Sequence, residues 1–208
     1  MKIAIFGATG QVGLQLIKQA VWRGHHVRAF GRNVFDIKFE DEKLQLIKGA
    51  VFDEGEVYEA IKGCDAVLSA LGGAFDGTDK TRSLGIKNII AQMNKANVQR
   101  IIALGGQGVL NADENKLIIE SENYPKQFLP VGNEHLKAYE YLKGSSLNWT
   151  FIGAPNIINA EPTGNFTTNK NYPPQPNSNN INTGDLALFM LNELEKNEFV
   201  KCRAGICN

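Results

Sequence analysis

Three glycines set three apart, Gly7, Gly10 and Gly13, follow directly on the apolar run Lys2-Ile3-Ala4-Ile5-Phe6 and lead into a helical pattern. A turn of this kind suits an anionic diphosphate. Backbone without Cβ atoms approaches phosphate oxygens closely, and the amides of a new helix N-terminus face the anion. Gly7 is expected to make the tight turn, Gly10 the close approach to a ligand, and Gly13 the close packing of helix on strand. Thr9, Gln11 and Val12 complete the loop that would bind the pyrophosphate of a dinucleotide. The strand–turn–helix setting is what gives the glycine spacing its weight.

Arg32 follows a second apolar run, in Phe30-Gly31-Arg32-Asn33. A fold selective for NAD carries an Asp or Glu at this point for the ribose diol. A guanidinium instead suits the 2′-phosphate of NADP, through charge-assisted and often bidentate contacts. Asp36 lies too far along to act as the acidic discriminator, so NADP(H) is expected over NAD(H).

The elements that must position these groups alternate. Strands are expected at 2–6, 26–30, 44–47, 65–71, 98–104 and 148–153, and helices at about 11–23, 54–62, 80–96, 132–143 and 184–195. Apolar spacing of three and four marks the helices, and Gly24 and Gly63 mark two of their ends. The near-continuous run Ile101-Ile102-Ala103-Leu104 is what a strand covered on both faces requires. Strand–helix alternation at this spacing predicts an α/β, Rossmann-type doubly wound parallel sheet with helices on both faces, one domain over residues 1–208. Two stretches break the rhythm, 105–131 and the Asn- and Pro-rich 160–182. Both follow the C-terminal ends of strands, where ligands bind in open sheets, and both are expected to roof a substrate cleft. Thr183 or Asp185 is expected to cap the last helix. Trp22 and Trp149 read as packing residues, and His25 and His26 as structural ones.

Bulk properties narrow the partners. Hydrophobic residues make up 43% and charged residues 21% of 208, ordinary for a globular chain. Lys+Arg and Asp+Glu are both 22, so no net field favours nucleic acid or an anionic membrane. Three cysteines without metal-site spacing argue against both a metal and a disulfide framework. The start of the chain is already the first strand rather than a signal peptide, and no apolar run approaches the ~20 residues of a membrane span, so a cytoplasmic location is expected. No heptad seam announces an interface, and a monomer is the expectation.

The strand–glycine start resembles the atypical short-chain dehydrogenase/reductase family, within it the branch of biliverdin reductase B, flavin reductases and related (NmrA-like) NAD(P)H-binding proteins. Further matches are Asp65-Ala66-Val67, Asn88-Ile89-Ile90, Leu147-Asn148-Trp149-Thr150 and Thr183-Gly184-Asp185-Leu186-Ala187, so the likeness spans the chain. It implies hydride transfer from a nicotinamide to a planar acceptor (flavin, quinone or tetrapyrrole) lying over it, with the two ring systems held face to face. It also implies further cofactor contacts. The family's Asp for the adenine amine is Ala50 here, which leaves the backbone of Val51; Leu71, Gly72 and Gly73 form the small turn after the fourth strand; Leu104 and Gly106 follow the fifth, and Pro155 the sixth. His135 and Asn156 match the branch's nicotinamide and substrate end, His135 being either a proton donor titrating near neutrality or a plain helix residue.

The resemblance also has gaps. Gly106 stands where the family carries a catalytic Ser. The Tyr and Lys of standard members fall near Gly132 and Leu136, while the pair Tyr139-x-x-x-Lys143 lies one or two turns too close to the sixth strand and reads as coincidence. That loss supports a second expectation, a non-catalytic NAD(P)-binding redox sensor of the nitrogen-metabolite-repression regulator type. A sugar-nucleotide epimerase or dehydratase is disfavoured by the missing Tyr–Lys pair.

Overall fold

The computed structural model describes residues 1–208. The chain runs β1 (Lys2–Phe6), α1 (Gln11–Trp22), β2 (His26–Gly31), β3 (Leu44–Lys48), α2 (Glu54–Ile61), β4 (Ala66–Ser69), α3 (Thr81–Lys95) and β5 (Arg100–Gly106). It continues through α4 (Leu129–Lys143), β6 (Asn148–Ala154), β7 (Asn156–Ile158), β8 (Thr167–Lys170), β9 (Asn180–Asn182), α5 (Thr183–Lys196) and β10 (Cys202–Cys207). The main sheet has the order β3-β2-β1-β4-β5-β6-β10-β8, parallel except for β8, which pairs antiparallel with β10 at the edge. It is the doubly wound Rossmann-type sheet, with the chain reversing its direction of travel between β1 and β4.

The period of two along β1 explains the layers. Ile3 and Ile5 pack with Leu16, Ile17, Leu186 and Met190 of α1 and α5. Ala4 and Phe6 point the other way, into a second core with Val57, Ile89, Met93 and Leu142 of α2, α3 and α4. Both faces are therefore buried, which is why the strands read as apolar runs.

Several differences from the sequence reading have local causes. Strand β5 begins at Arg100, because α3 ends in a reversal in which Asn97 takes φ 56° and the Val98 amide donates back to the Met93 carbonyl. The polar edge strand β8 and the Gly-containing β10 carry too little periodicity to read as strands; β10 is nonetheless almost wholly buried. Asn182 is the N-cap of α5, with no side-chain cap. Thr183 and Asp185 instead fasten the preceding loop: the Thr183 hydroxyl donates to the Ala160 carbonyl, and the Asp185 carboxylate accepts from the Thr163 and Gly164 amides and from Asn208. These bonds hold the Asp185 carboxyl below the usual carboxylate range against the opposing effect of burial. Trp149 is buried as expected, whereas Trp22 is 72% exposed on the outer side of α1. No helix is long and apolar enough to cross a membrane.

Candidate dinucleotide and acceptor cleft

The C-terminal ends of β1, β2, β4, β5 and β6 open into a cleft of about 1100 Å³. At its floor, Gly7 turns the chain with φ +77°, and a Cβ there would stand 2.3 Å from the Ala70 carbonyl oxygen. A Cβ on Gly13 would stand 2.1 Å from the Gly7 carbonyl oxygen, so the absent side chain is what lets α1 lie on β1. Gly10 differs. Its backbone is extended and its Cβ would meet only the Gly7 oxygen at 3.3 Å, pointing otherwise into open space. Gly10 is the N-cap of α1, with no side-chain cap and no acidic residue in the first turn. The first amides of the helix, with Thr9, Gln11 and Val12 beside them, therefore face the cleft unsatisfied and at the positive end of the helix dipole. This arrangement fits a bound diphosphate.

Arg32 leaves the end of β2, is exposed, and lines the same cleft. After β3, the Ala50 amide donates to Glu56 Oε2 (2.7 Å), so the turn draws its carboxylate from α2 rather than from residue 50. Asn88 Nδ2 donates to the Val51 carbonyl (2.8 Å) and fixes the turn from α3. Ala50 and Val51 both lie on the cleft wall, next to the exposed ring of Phe52.

Leu71, Gly72 and Gly73 form the middle of the wall. The loop that follows is held by Arg82, whose guanidinium donates to the Gly73 and Ala74 carbonyls at 2.9 Å each and lies 5.6 Å from the centre of the Phe75 ring. Asp79 fixes the other end of that loop by accepting from the Thr81 amide, a bond that holds its carboxyl below the ordinary range. Sequence reasoning missed Arg82, Phe52 and Phe75 because nothing in their spacing distinguishes them from surface residues.

Leu104 and Gly106 at the end of β5, His135 on α4, and Pro155 and Asn156 after β6 close the far end. Gly106 and His135 are complementary: a Cβ on Gly106 would lie 3.1 Å from His135 Cδ2 and 3.4 Å from its Nε2. The imidazole thus packs beside Gly106, the position where the family resemblance implies a Ser. His135 does not titrate near neutrality. Burial first, and the Arg82 guanidinium second, push it down to about 3, against a small opposing effect of Glu134. Its neutral ring can donate or accept a hydrogen bond but is no imidazolium acid at physiological pH. Neighbouring Glu134 is 2% exposed and ties α4 to α3, accepting from the Ser83 hydroxyl and, at 3.0 Å, from Lys80 Nζ. Tyr139, by contrast, is packed between Trp149 and Phe151 in the core and is absent from the cleft wall.

The two long connections contribute unequally. The segment 105–131 folds into three short 3₁₀ turns and presents Gln107, Ile118, Tyr124 and Phe128 to the cleft. Of 160–182, Asn179 alone reaches it, its carboxamide oxygen accepting from Gln107 Nε2 at 2.9 Å; Thr167–Lys170 pair with β10 at the sheet edge and Asn180–Asn182 with β7.

With this geometry in place, a profile of the NAD(P)H-binding family matches residues 7–197. The chain belongs to the NAD(P)H-binding family. Among its relatives, the uncharacterized protein YwnB of Bacillus subtilis is 30% identical over 207 residues, covering 95% of this chain and 94% of YwnB. A solved protein of Streptococcus pneumoniae described as a "putative NADH-flavin reductase" superposes with TM-score 0.86 at 26% identity over 100% of this chain and 99% of that one. Another, a "putative epimerase" of Bacteroides thetaiotaomicron, superposes with TM-score 0.87 at 30% identity over 99% and 95%. The resemblance to the atypical short-chain dehydrogenase/reductase family, read from the glycine turn, holds over the whole chain.

Proposed function

We propose that this chain is an NADP(H)-dependent reductase that passes a hydride to a planar acceptor such as a flavin, quinone or tetrapyrrole. The observation that carries the proposal is the continuity of the cleft. It is one pocket lined from the uncapped start of α1, through Leu71–Gly73 and Gly106, to His135 and Asn156. Its volume of about 1100 Å³ lies just above the roughly 300–1,000 Å³ of pockets for a single drug-sized ligand, a size that suits an extended ligand such as a dinucleotide. The likeness to the Streptococcus pneumoniae protein supports the same reaction class.

In this reading the α1 amides and Gly10 hold the diphosphate, Arg32 the 2′-phosphate, Ala50 and Val51 the adenine edge, and Leu71–Gly73 the ribose. Leu104, Gly106 and Pro155 flank the nicotinamide, and His135 and Asn156 meet the acceptor. The bound cofactor supplies a hydride, and one proton from solvent completes a two-electron reduction. His135, neutral throughout, orients the acceptor rather than protonating it. The protein acts as a cytoplasmic monomer, a setting that suits its three free cysteines.

One observation favours a second reading, a non-catalytic redox sensor: no hydroxyl stands at Gly106. An epimerase is not supported, because Tyr139, the one Tyr at the spacing such chemistry uses, is buried away from the cleft. Purified protein mixed with NADPH and either FMN or a naphthoquinone, with NADH in parallel, tests the proposal through absorbance at the reduced-nicotinamide band. Oxidation that scales with protein and saturates in both substrates is expected. Tight NADPH binding without turnover on any acceptor would establish the sensor instead.

A further inference from the structure

The turn from Ala50 to Asp53, on the cleft wall after β3, carries an aromatic ring that the fold does not use. Val51 and Phe52 are its two corner residues, and the Asp53 amide closes it by donating to the Ala50 carbonyl at 3.0 Å. Val51 turns inward. It packs on the core shared by α2, α3 and α4, with its methyl groups 3.2 and 3.3 Å from where a Cβ on Gly85 would stand. Phe52 does not follow it: the residue belongs to neither core, is 55% exposed, and lines the cleft that Arg32 also lines. The turn is not free to fold the ring away. Glu56 holds the Ala50 amide at 2.7 Å, Asn88 holds the Val51 carbonyl at 2.8 Å, and Asp53 caps α2 by accepting from the Glu56 amide at 2.8 Å.

The same bonds engage the polar atoms that could read the edge of a base. The Ala50 amide, the Ala50 carbonyl and the Val51 carbonyl each have a partner within the protein. The carboxylates of Asp53 and Glu56 each accept from a backbone amide, and neither residue lines the cleft. What this turn offers a nucleobase is therefore a ring face and no carboxylate. Stacking on an aromatic ring asks nothing of the base's edge, because every base has a π-face. The position suits the base of a 2′-phosphorylated adenosine. Strands β2 and β3 leave the sheet side by side, the Gly49 amide donating to the Gly31 carbonyl at 3.2 Å. Arg32 and the turn thus start one strand spacing apart, about 4.8 Å. The ligand matches this closeness, since its base and its 2′-phosphate sit on adjacent carbons of one ribose.

We infer that Phe52 is the platform on which the adenine ring of the dinucleotide stacks, and that the cleft holds this ring by its face without reading its amine. Ala50 and Val51 then border the base without bonding to that amine. The inference rests on the dinucleotide half of the proposed function and is independent of the acceptor. Its consequence is a site that discriminates strongly at the 2′-phosphate, through Arg32, and weakly at the base.

Equilibrium titration tests this without turnover. Wild type is titrated first with NADPH, and then with its deaminated analogue, in which a carbonyl replaces the adenine amine. The two are expected to bind within about threefold of each other, since stacking tolerates the change. Phe52→Ala should keep its melting temperature and weaken NADPH by about five- to thirtyfold. It should weaken NADH by the same factor, because both carry the base, whereas a loss at Arg32 separates the two. Phe52→Trp should keep NADPH affinity, and its added emission should be quenched by adenosine 2′,5′-bisphosphate, which carries the base and no nicotinamide. Unaltered NADPH affinity in Phe52→Ala overturns the inference, and so does a deaminated analogue that binds more than about tenfold more weakly than NADPH, because the amine is then read. Added emission in Phe52→Trp that ignores the bisphosphate overturns it as well. If wild type binds neither NADPH nor NADH, the dinucleotide reading itself fails and the inference falls with it.

Discussion

Removing the guanidinium at position 32 should separate the two nicotinamide dinucleotides. Arg32 is exposed at the end of β2 and lines the cleft without being held by any carboxylate of the chain, so Arg32→Ala costs the fold nothing. A charge-assisted hydrogen bond to a phosphate contributes roughly 1.5–3 kcal/mol, and exposure of the residue to solvent places this one near the lower end. About 1.5–2 kcal/mol corresponds to a roughly ten- to thirtyfold rise in the dissociation constant for NADPH. NADH lacks the 2′-phosphate and should change by less than about twofold on the same scale. Fluorescence titration of wild type and variant with both dinucleotides reads the four constants directly. Added salt should narrow the wild-type preference, because the contact is solvent-exposed. An equal loss for both dinucleotides, or none for either, refutes the argument that Arg32 reads the 2′-phosphate. A fall in melting temperature would instead mean that Arg32 supports the fold.

Other outcomes follow from the same geometry. Gly10→Val should fold with an unchanged melting temperature, since the backbone there is extended and the new side chain points into the cleft; equilibrium titration should then find no dinucleotide binding. Retained affinity would remove the α1 N-terminus from the site. For His135, the folded pKa lies near 3 against an ordinary 6.5. Between these values the unfolded chain binds the proton and the folded chain does not, so stability falls as pH drops from about 6.5 towards 3, by at most ~1.4 kcal/mol per pH unit from this residue. Denaturant midpoints measured from pH 7.5 to 4.5 should fall less steeply in His135→Gln than in wild type. A turnover profile with a limb near pH 6.5 that disappears in the same variant would contradict a neutral His135.

The glycine turn was legible because it obeys local rules. A strand, a glycine turn and a helix within thirteen residues leave few structural alternatives, and the close backbone approaches at Gly7 and Gly13 are the ones those rules require. Sheet order followed from the strand–helix alternation, and alternation along β1 from its apolar run. The far end of the cleft was less legible, because its residues meet through long-range packing. Tyr124 is placed by Gly108 and Gly132 from two different elements, and Arg82 acts on carbonyls eight and nine residues earlier in the chain. The titration of His135 depends on its three-dimensional surroundings, which helical spacing does not reveal. The edge formed by β8 and β10 escaped notice because its stability comes from pairing and from internal bonds such as Arg203 to the Val109 carbonyl, not from a hydrophobic pattern.

The central claim is that a reduced nicotinamide in this cleft gives its hydride to an acceptor bound beyond Gly106. Kinetics with NADPH carrying deuterium at C4, prepared in each of the two stereochemical forms and paired with an uncharged naphthoquinone, address it most directly. The account predicts that one form slows the reaction and the other does not, because the cleft presents a single face of the ring. Turnover insensitive to deuterium in either form under single-turnover conditions, or no NADPH oxidation at all, would contradict it.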